Sequence, residues 1–158
     1  MKRLMIAAFF VVSSAGAQEP VVGVANPESL FRDSNPKRHR NKQATLHIMK
    51  DLLQCNHWDE ASKWLTARYI QHNPNVASGR EGVVKFFGTR PKTPTCDKLT
   101  TKVVAVLADG DLVTVVMPRE LKDPTDPSKT YTPTWFDMWR FVDGKADEHW
   151  DPAMRMAP

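Results

Sequence analysis

The second half of the sequence contains two Asp-Gly pairs, Asp109-Gly110 and Asp143-Gly144, which constrain the fold more than any other feature. Each pair lies inside a long run in which β-branched or aromatic residues alternate with polar ones. Asp-Gly is favoured in two-residue hairpin turns because their central positions need a positive φ, which these two residues tolerate. The pattern therefore predicts an antiparallel meander in this half of the chain.

The first half of the chain follows the helical period instead. An apolar stripe over residues 41–55 predicts the first helix, and Asn56 is placed to cap a second. Ser78 and Glu81 have the spacing of a capping box, and Gly88 is placed to end the third helix that they begin. Helices followed by a meander predict an α+β domain, with three helices packed on one face of a curved antiparallel sheet.

The N-terminus has the pattern of a secretory signal peptide. Two cations precede an apolar run and a group of small residues that ends at Ala17. The apolar run is shorter than the about 20 residues that span a bilayer, so we expect no stable membrane anchor after cleavage. We predict a signal peptide over 1–17, an extended or flexible lead-in over 18–40, and one domain over 41–158. The predicted location is periplasmic or secreted.

Charge and motifs exclude several classes of function. The formal charge of +4 falls to +2 without Lys2 and Arg3 of the predicted signal peptide, which is too small to indicate a nucleic-acid partner. The sequence has no Walker loop, dinucleotide-binding glycine pattern or G-x-S-x-G elbow, which disfavours nucleotide-dependent and serine-nucleophile chemistry. The two cysteines, Cys55 and Cys96, could form a disulfide in an oxidising compartment, but sequence alone does not give their separation, so free thiols stay open.

A carboxylate lies between two tryptophans in the penultimate predicted strand. Asp137 shares a face with Trp135 and Trp139, because side chains two residues apart in a strand point the same way. An apolar surround disfavours an ionised carboxylate, which can make it a usable base near neutral pH. The structural alternative, an aspartate that bonds an arginine or the backbone at a sheet edge, stays open.

The last predicted strand carries three polar side chains. By alternation, Asp147, His149 and Asp151 share one face of this strand. Antiparallel pairing about the preceding turn would bring Asp137 towards Asp151. A solvent-exposed pair is the alternative interpretation for the histidine and the final aspartate.

A further histidine, His72, precedes Pro74 at the end of an extended segment over 68–74. A histidine in this position more often stabilises a turn than acts in catalysis. His72, His149 and one carboxylate could form a two-histidine metal site. The spacing does not require a metal, and we predict neither a metal nor an organic cofactor.

Four segments together resemble the SnoaL-like group of the nuclear transport factor 2-like superfamily: "YIQHNPNVASGREGVVKFF", "LADGDLVTVV", "FDMWRFVDGK" and "EHWD". The resemblance covers residues 41–152. It implies a cone-shaped α+β fold, in which a strongly curved antiparallel sheet wraps against helices and encloses an apolar pocket. It also implies small-molecule chemistry, because members include polyketide cyclases that perform aldol condensations, and relatives include ketosteroid isomerases and dehydratases.

The resemblance assigns roles to particular residues. Asp151 matches the acid/base aspartate of the cyclases, with Asp137 as its nearest companion, and His72 and His149 fall on the family's characteristic histidines. Candidate substrate-binding side chains are the aromatic ones near these positions: Trp135, Trp139, Phe87, Tyr69 and Trp150. A branched apolar pair is usual after the glycine-lysine turn, whereas this chain has Ala146-Asp147, so the shape of the pocket is expected to differ.

Two functions remain open on the sequence. In the first, the protein is an enzyme in which Asp151 or Asp137 removes a proton next to a carbonyl while His149 or His72 donates to the developing enolate. In the second, it is a secreted module that binds a small apolar or carbonyl-containing molecule, or dimerises, without chemistry. A homodimer through the outer face of the sheet is expected from the resemblance alone.

Overall fold

The structure is a computed structural model that describes residues 19–156. Its helices are short, and most lie in the first half of the chain. They are a 3-10 turn at Pro27–Phe31, α1 at Pro36–His47, a π-helical continuation at Ile48–Gln54, a 3-10 turn at Trp58–Glu60, α2 at Ala61–Trp64 and α3 at Arg80–Phe87. Within the described residues, no helix combines the length and apolar character that crossing a bilayer needs.

Five strands form the main sheet and two form a small separate hairpin. The strands are β1 at Leu65–Gln71, β2 at Ala105–Asp109, β3 at Leu112–Pro118, β4 at Leu121–Lys122, β5 at Thr130–Tyr131, β6 at Thr134–Val142 and β7 at Lys145–Trp150. The main sheet has the order β1-β7-β6-β3-β2, and β4 pairs with β5. This arrangement confirms the predicted α+β class.

The sheet is mixed, because one of its pairings is parallel, whereas the sequence analysis predicted an antiparallel sheet. β2, β3, β6 and β7 form the predicted antiparallel meander, but β1 lies parallel to β7. The chain passes through α3 and three other strands of the sheet between β1 and β7. A connection of that length permits either direction of pairing, whereas a two-residue turn enforces the antiparallel one.

Both predicted hairpins are present, with different turns. Asp143 and Gly144 form the β6–β7 turn, and both have a positive φ, 51° and 81°. The β2–β3 turn consists of Gly110 and Asp111, one residue later than the Asp-Gly pattern predicts, and only Gly110 has a positive φ.

A β-bulge in β7 changes the direction of one acidic side chain. The register passes from Arg140 opposite Glu148 to Phe141 opposite Ala146, which leaves Asp147 without a partner on β6. Asp147 instead accepts hydrogen bonds from side chains of β1 and does not line the cavity described below. The prediction that Asp147 shares a face with His149 and Asp151 is therefore wrong.

The lead-in is more ordered than the sequence predicts. Within the predicted 18–40 segment, α1 begins at Pro36, and the Asn35 side chain caps it by accepting from the N–H groups of Lys37 and Arg38. Phe31 is fully buried in the core, which anchors the preceding 3-10 turn. Burial of one aromatic ring thus orders a segment whose composition suggested an extended chain. The predicted signal peptide lies outside the described residues.

Two predicted caps are also wrong, whereas the end of α3 is confirmed. Asn56 adopts a left-handed conformation with φ of 61° and donates its side-chain N–H to the Arg90 carbonyl instead of capping α2. The hydroxyl of Ser78 accepts from the Gln71 N–H across the fold, so α3 has no side-chain cap. Gly88 follows the last residue of α3, as predicted.

The core lies between the inner face of the sheet and the helices. Its largest fully buried side chains include Trp139, Leu52 and Leu65. Cys55 and Cys96 form a disulfide with their Cα atoms 6.0 Å apart, which joins the end of the π-helical segment to the loop before β2. The homodimer stays a prediction.

Candidate functional site

A cavity of about 680 Å³ opens on the inner side of the sheet. A volume of this size is typical of small-molecule sites, and the lining is mainly apolar. Four of the five predicted aromatic substrate-binding residues line it: Tyr69, Phe87, Trp135 and Trp139. The cavity therefore provides aromatic walls around a small number of polar groups.

Three of these polar groups meet on adjacent strands. Asp137 is on β6, His149 is on β7 and pairs with Trp139, and Asp151 follows directly after β7. One ligand atom from each of the three side chains lies within 4.8 Å of the others. The predicted approach of Asp137 to Asp151 is present, and both acids line the cavity.

The hydrogen bonds of His149 determine which ring nitrogen carries a proton. Nδ1 is 2.8 Å from Oε1 of Gln71, and that oxygen also accepts from the Asn73 backbone N–H at 3.0 Å. A backbone N–H can only donate, so the Gln71 atom facing it is the oxygen and His149 Nδ1 must donate to it as well. The imidazole is thereby held with Nδ1 protonated.

The other ring nitrogen faces a carboxylate. His149 Nε2 lies 3.2 Å from Oδ1 of Asp137, and both side chains are nearly buried. A neutral imidazole with Nδ1 protonated would direct a lone pair at this oxygen, so a proton must lie between the two atoms. It is carried either by Nε2 or by Asp137. The geometry thus places one proton between the imidazole and the carboxylate.

Further donors hold both acids in place. Asp137 Oδ1 accepts from Nε1 of Trp135 at 3.1 Å. The two oxygens of Asp151 accept from Nδ2 of Asn73 at 2.8 Å and from the Ala153 N–H at 2.9 Å. Within the described residues, neither Asp137 nor Asp151 forms a salt bridge with a lysine or an arginine. The cluster therefore combines fixed geometry with limited charge compensation.

Tyr69 adds a neutral donor beside this cluster. It is 3% exposed, and burial strongly raises the pKa of its hydroxyl, so the phenol stays protonated. Its oxygen accepts from Nε1 of Trp139 at 3.0 Å. Among the described hydrogen bonds none uses the phenol proton, which leaves it free for a ligand in the cavity.

His72 and Trp150, predicted as a catalytic and a substrate-binding residue, are not among the residues that line the cavity. His72 Nε2 is 2.9 Å from Oε1 of Glu148, and its ring stacks on Trp150 at 5.2 Å between centroids. The contact with His72 lowers the pKa of Glu148. Strand alternation explains both placements: Gln71 points inward, so its neighbour His72 points outward, and Trp150 likewise points away from His149.

The same placement rules out the two-histidine metal set. Among the described residues, the one group with metal-ligand spacing is instead Asp137, His149 and Asp151. With Nδ1 bonded to Gln71, Nε2 would be the imidazole ligand, and the amide oxygen would serve as its second-shell partner. A divalent cation there would displace the shared proton, because histidine ligates through a free lone pair.

Several residues of the cavity were not predicted from the sequence. Gln71 and Asn73 position the histidine and the last aspartate, and the C-terminal segment 152–156 supplies part of the wall. Strand alternation in β1 could have indicated Gln71, because Gln71 shares a face with Tyr69 and Ile70 points to the opposite side. Nothing in the sequence indicated the C-terminal segment, which is tethered through Asn75 to the backbone of Met154 and Met156.

The comparisons with known proteins agree with this architecture. The SnoaL-like domain family matches residues 47–149. A nuclear transport factor 2-like protein of unknown function from Burkholderia pseudomallei K96243 is 13% identical, with 73% of this chain and 91% of that chain covered and a TM-score of 0.52. A candidate SnoaL-like polyketide cyclase from Jannaschia sp. CCS1 is 17% identical, with 77% and 91% covered and a TM-score of 0.51. No curated protein sequence matches.

The mixed curved sheet, the helices packed on it and the enclosed cavity define a nuclear transport factor 2-like fold. Within that fold, the chain belongs to the SnoaL-like family, because the family match covers most of its length. The low identities to the solved structures establish the fold and leave the chemistry to be argued from the site.

Proposed function

We propose that this protein is an enzyme that moves a proton at the carbon next to a carbonyl, as in an aldol condensation, a cyclisation or an isomerisation. The observation that supports this most directly is the pair formed by His149 and Asp137, which holds one proton at the wall of an apolar cavity. A second carboxyl group, that of Asp151, lies within reach of the same point and serves as the base. An acid and a base therefore face one substrate position.

The proposed steps assign one role to each group. Asp151 takes the proton from the carbon, the electron pair of the C–H bond forms the enol double bond, and the carbonyl electrons move to oxygen. The proton of the His149–Asp137 pair transfers to that oxygen, and the Tyr69 hydroxyl donates a hydrogen bond to it. The reverse transfers return the enol to the ketone, or its carbon attacks a second carbonyl to form the aldol bond.

Solvent exchange tests this proposal without knowledge of the natural substrate. We expect a panel of aryl methyl ketones and cyclic ketones in D2O to gain deuterium next to the carbonyl, detected by NMR. Asp151→Asn and Asp137→Asn should each lower the exchange rate by about a hundredfold or more, because each removes a proton carrier. Saturable binding with no exchange for any ketone would favour the alternative, a binding module.

Two histidines provide a matched control for the same experiment. His149→Gln should abolish exchange, because it removes the ring that shares the proton with Asp137. His72→Gln should leave exchange unchanged, because that ring lies on the outer face against Glu148. Thermal unfolding of both variants checks that each is folded, and equal losses of exchange in the two variants would contradict the assignment.

We also propose that the protein is exported. The apolar leader with small residues up to Ala17 and the Cys55–Cys96 disulfide support this, because disulfides persist in oxidising compartments. Mass spectrometry of the protein from a cell that expresses the full chain should give a mature form that begins at Gln18. An uncleaved chain retained in the cytoplasm would contradict the proposal.

A further inference from the structure

Among the described residues that line the cavity, Arg119 is the one arginine or lysine. It follows directly after β3, and its backbone N–H donates to the Pro133 carbonyl at 2.9 Å. The guanidinium carbon lies 3.7 Å from the centroid of the Trp135 ring. The arginine is exposed at the opening, so its head group is accessible from solvent and from the cavity.

Other arginines of the sheet have carboxylate partners, whereas Arg119 does not. Arg68 pairs with Asp147, and Arg140 pairs with Asp111 and Glu148. None of the ion pairs within residues 19–156 includes Arg119. Its planar fork of N–H donors is thus available for a planar anion, which arginine binds through two parallel hydrogen bonds.

Trp135 connects this cation to the proposed acid/base groups. One face of its indole lies under Arg119, and its Nε1 donates to Asp137 Oδ1 at 3.1 Å. The cation therefore lies on the face of the indole whose edge bonds the carboxylate. The inner end of the cavity carries acids and the outer end carries the arginine, so an anionic group on a ligand would be directed outward.

We propose that Arg119 binds a carboxylate on the substrate, and that the substrate class is an apolar, ring-containing carbonyl compound with a carboxylate about one ring width from the reacting carbon. This inference rests on the proposed function, because it takes the carbonyl to lie beside Asp137 and Asp151. Arg119 sets orientation and affinity, and Trp135 is the platform that fixes the guanidinium.

Paired ligands that differ only in charge test the inference. The probes are para-acetylbenzoate, in which a methyl ketone and a carboxylate lie across one ring, and its methyl ester. Binding is measured by calorimetry at low salt. We expect the native protein to bind the acid about tenfold more tightly than the ester, because the ester offers no charge to the guanidinium.

Two variants that each remove one positive charge distinguish binding of the carboxylate by Arg119 from general electrostatic attraction at the opening. Arg119→Gln should remove the preference for the acid, whereas Lys122→Gln, on the exposed strand beside the opening, should preserve it. Arg119→Lys should keep only part of the preference, because an ammonium group lacks the planar fork. Circular dichroism checks the fold of each variant.

The results distinguish this inference from the proposed function. Equal binding of acid and ester by the native protein, failure of the acid to bind, or a preference that survives Arg119→Gln would each overturn the role of Arg119. Deuterium incorporation into the methyl group of the bound acid tests the chemistry separately. Preferential binding of the acid with no exchange would support the anion site and contradict the enzymatic proposal.

Discussion

At the scale of single residues, the bulge residue Asp147 connects the two parallel strands. Its carboxylate accepts from the hydroxyl of Thr66 at 2.7 Å and from the guanidinium of Arg68. The Arg68 contact holds the pKa of Asp147 below its ordinary value, against the opposing effect of burial. A carboxyl group whose pKa is lowered by folding stabilises the native state when it is ionised.

Asp147→Asn should therefore destabilise the protein in a way that depends on pH. Near neutral pH the free energy of unfolding should fall by about 1–3 kcal/mol, because the buried carboxylate loses its charge-assisted hydrogen bonds to the exposed Arg68. The stabilisation is present above the ordinary carboxyl pKa of about 4 and is lost as the pH falls through the lowered value. Urea unfolding should thus show native and variant proteins converging in acid.

Asp97→Asn is the control for that measurement. The Asp97 side chain is exposed, and none of the ion pairs in the described part of the chain includes it, although the change in charge is the same. We expect the free energy of unfolding of this variant to equal that of the native protein both near neutral pH and in acid. A difference between native and Asp147→Asn that is constant with pH would show that the Arg68 contact has no role in acid stability.

The site was predictable where strand alternation alone decides the direction of a side chain. Asp137 and Asp151 lie on, and directly after, two strands joined by a two-residue turn, so their approach followed from the sequence. His72 was assigned by resemblance to a motif, although the parity of β1 favours Gln71 as the inward residue. The sequence did not single out Arg119, because its contact with the Trp135 ring on the neighbouring strand is visible only in the folded chain.

At the scale of secondary structure, the two hairpin turns need glycine for different reasons. Gly110 has φ of 56° with open space where a Cβ would lie. Gly144 has φ of 81°, and a Cβ there would lie 3.1 Å from Cδ and Nε of Arg40 on α1. The first glycine meets a purely conformational requirement, whereas the second also permits close approach of α1 to the hairpin.

Alanine at the two positions should measure this difference. Gly110→Ala should cost about 1–2 kcal/mol, because an L-residue is forced into the left-handed region. Gly144→Ala should cost more, because the Arg40 side chain must also move. Denaturant unfolding of both variants, repeated in an Arg40→Ala background, checks the cause: the excess cost at Gly144 should disappear there. An excess that persists would show that the contact with Arg40 is unimportant.

Elements were predictable where their determinants are local. The hairpins follow from turn chemistry within a few residues, and both are present. The capping box failed because the Ser78 hydroxyl accepts from Gln71, which is adjacent only in the folded chain. The parallel pairing of β1 with β7 depends likewise on a contact between distant segments, which no local pattern encodes.

At the scale of the whole molecule, the disulfide closes the long loop that contains β1 and α3. Cys55 and Cys96 are separated by 41 residues, and Cys55 follows the π-helical segment from which Leu53 lines the cavity. A crosslink over such a loop stabilises the native state mainly by restricting the unfolded chain, and the expected effect at this loop length is about 4 kcal/mol. That amount is a large part of the stability of a domain of this size.

Reduction should therefore lower the free energy of unfolding of the native protein by several kcal/mol, measured by urea unfolding with and without a reductant. The double variant Cys55→Ala/Cys96→Ala should have the stability of the reduced protein and should not respond to the reductant, which separates the crosslink from other effects of the reagent. A carbonyl ligand that binds only the folded state should raise the stability of the oxidised and reduced forms alike. Native protein whose unfolding is unaffected by the reductant would show that the two sulfurs are not bonded in solution.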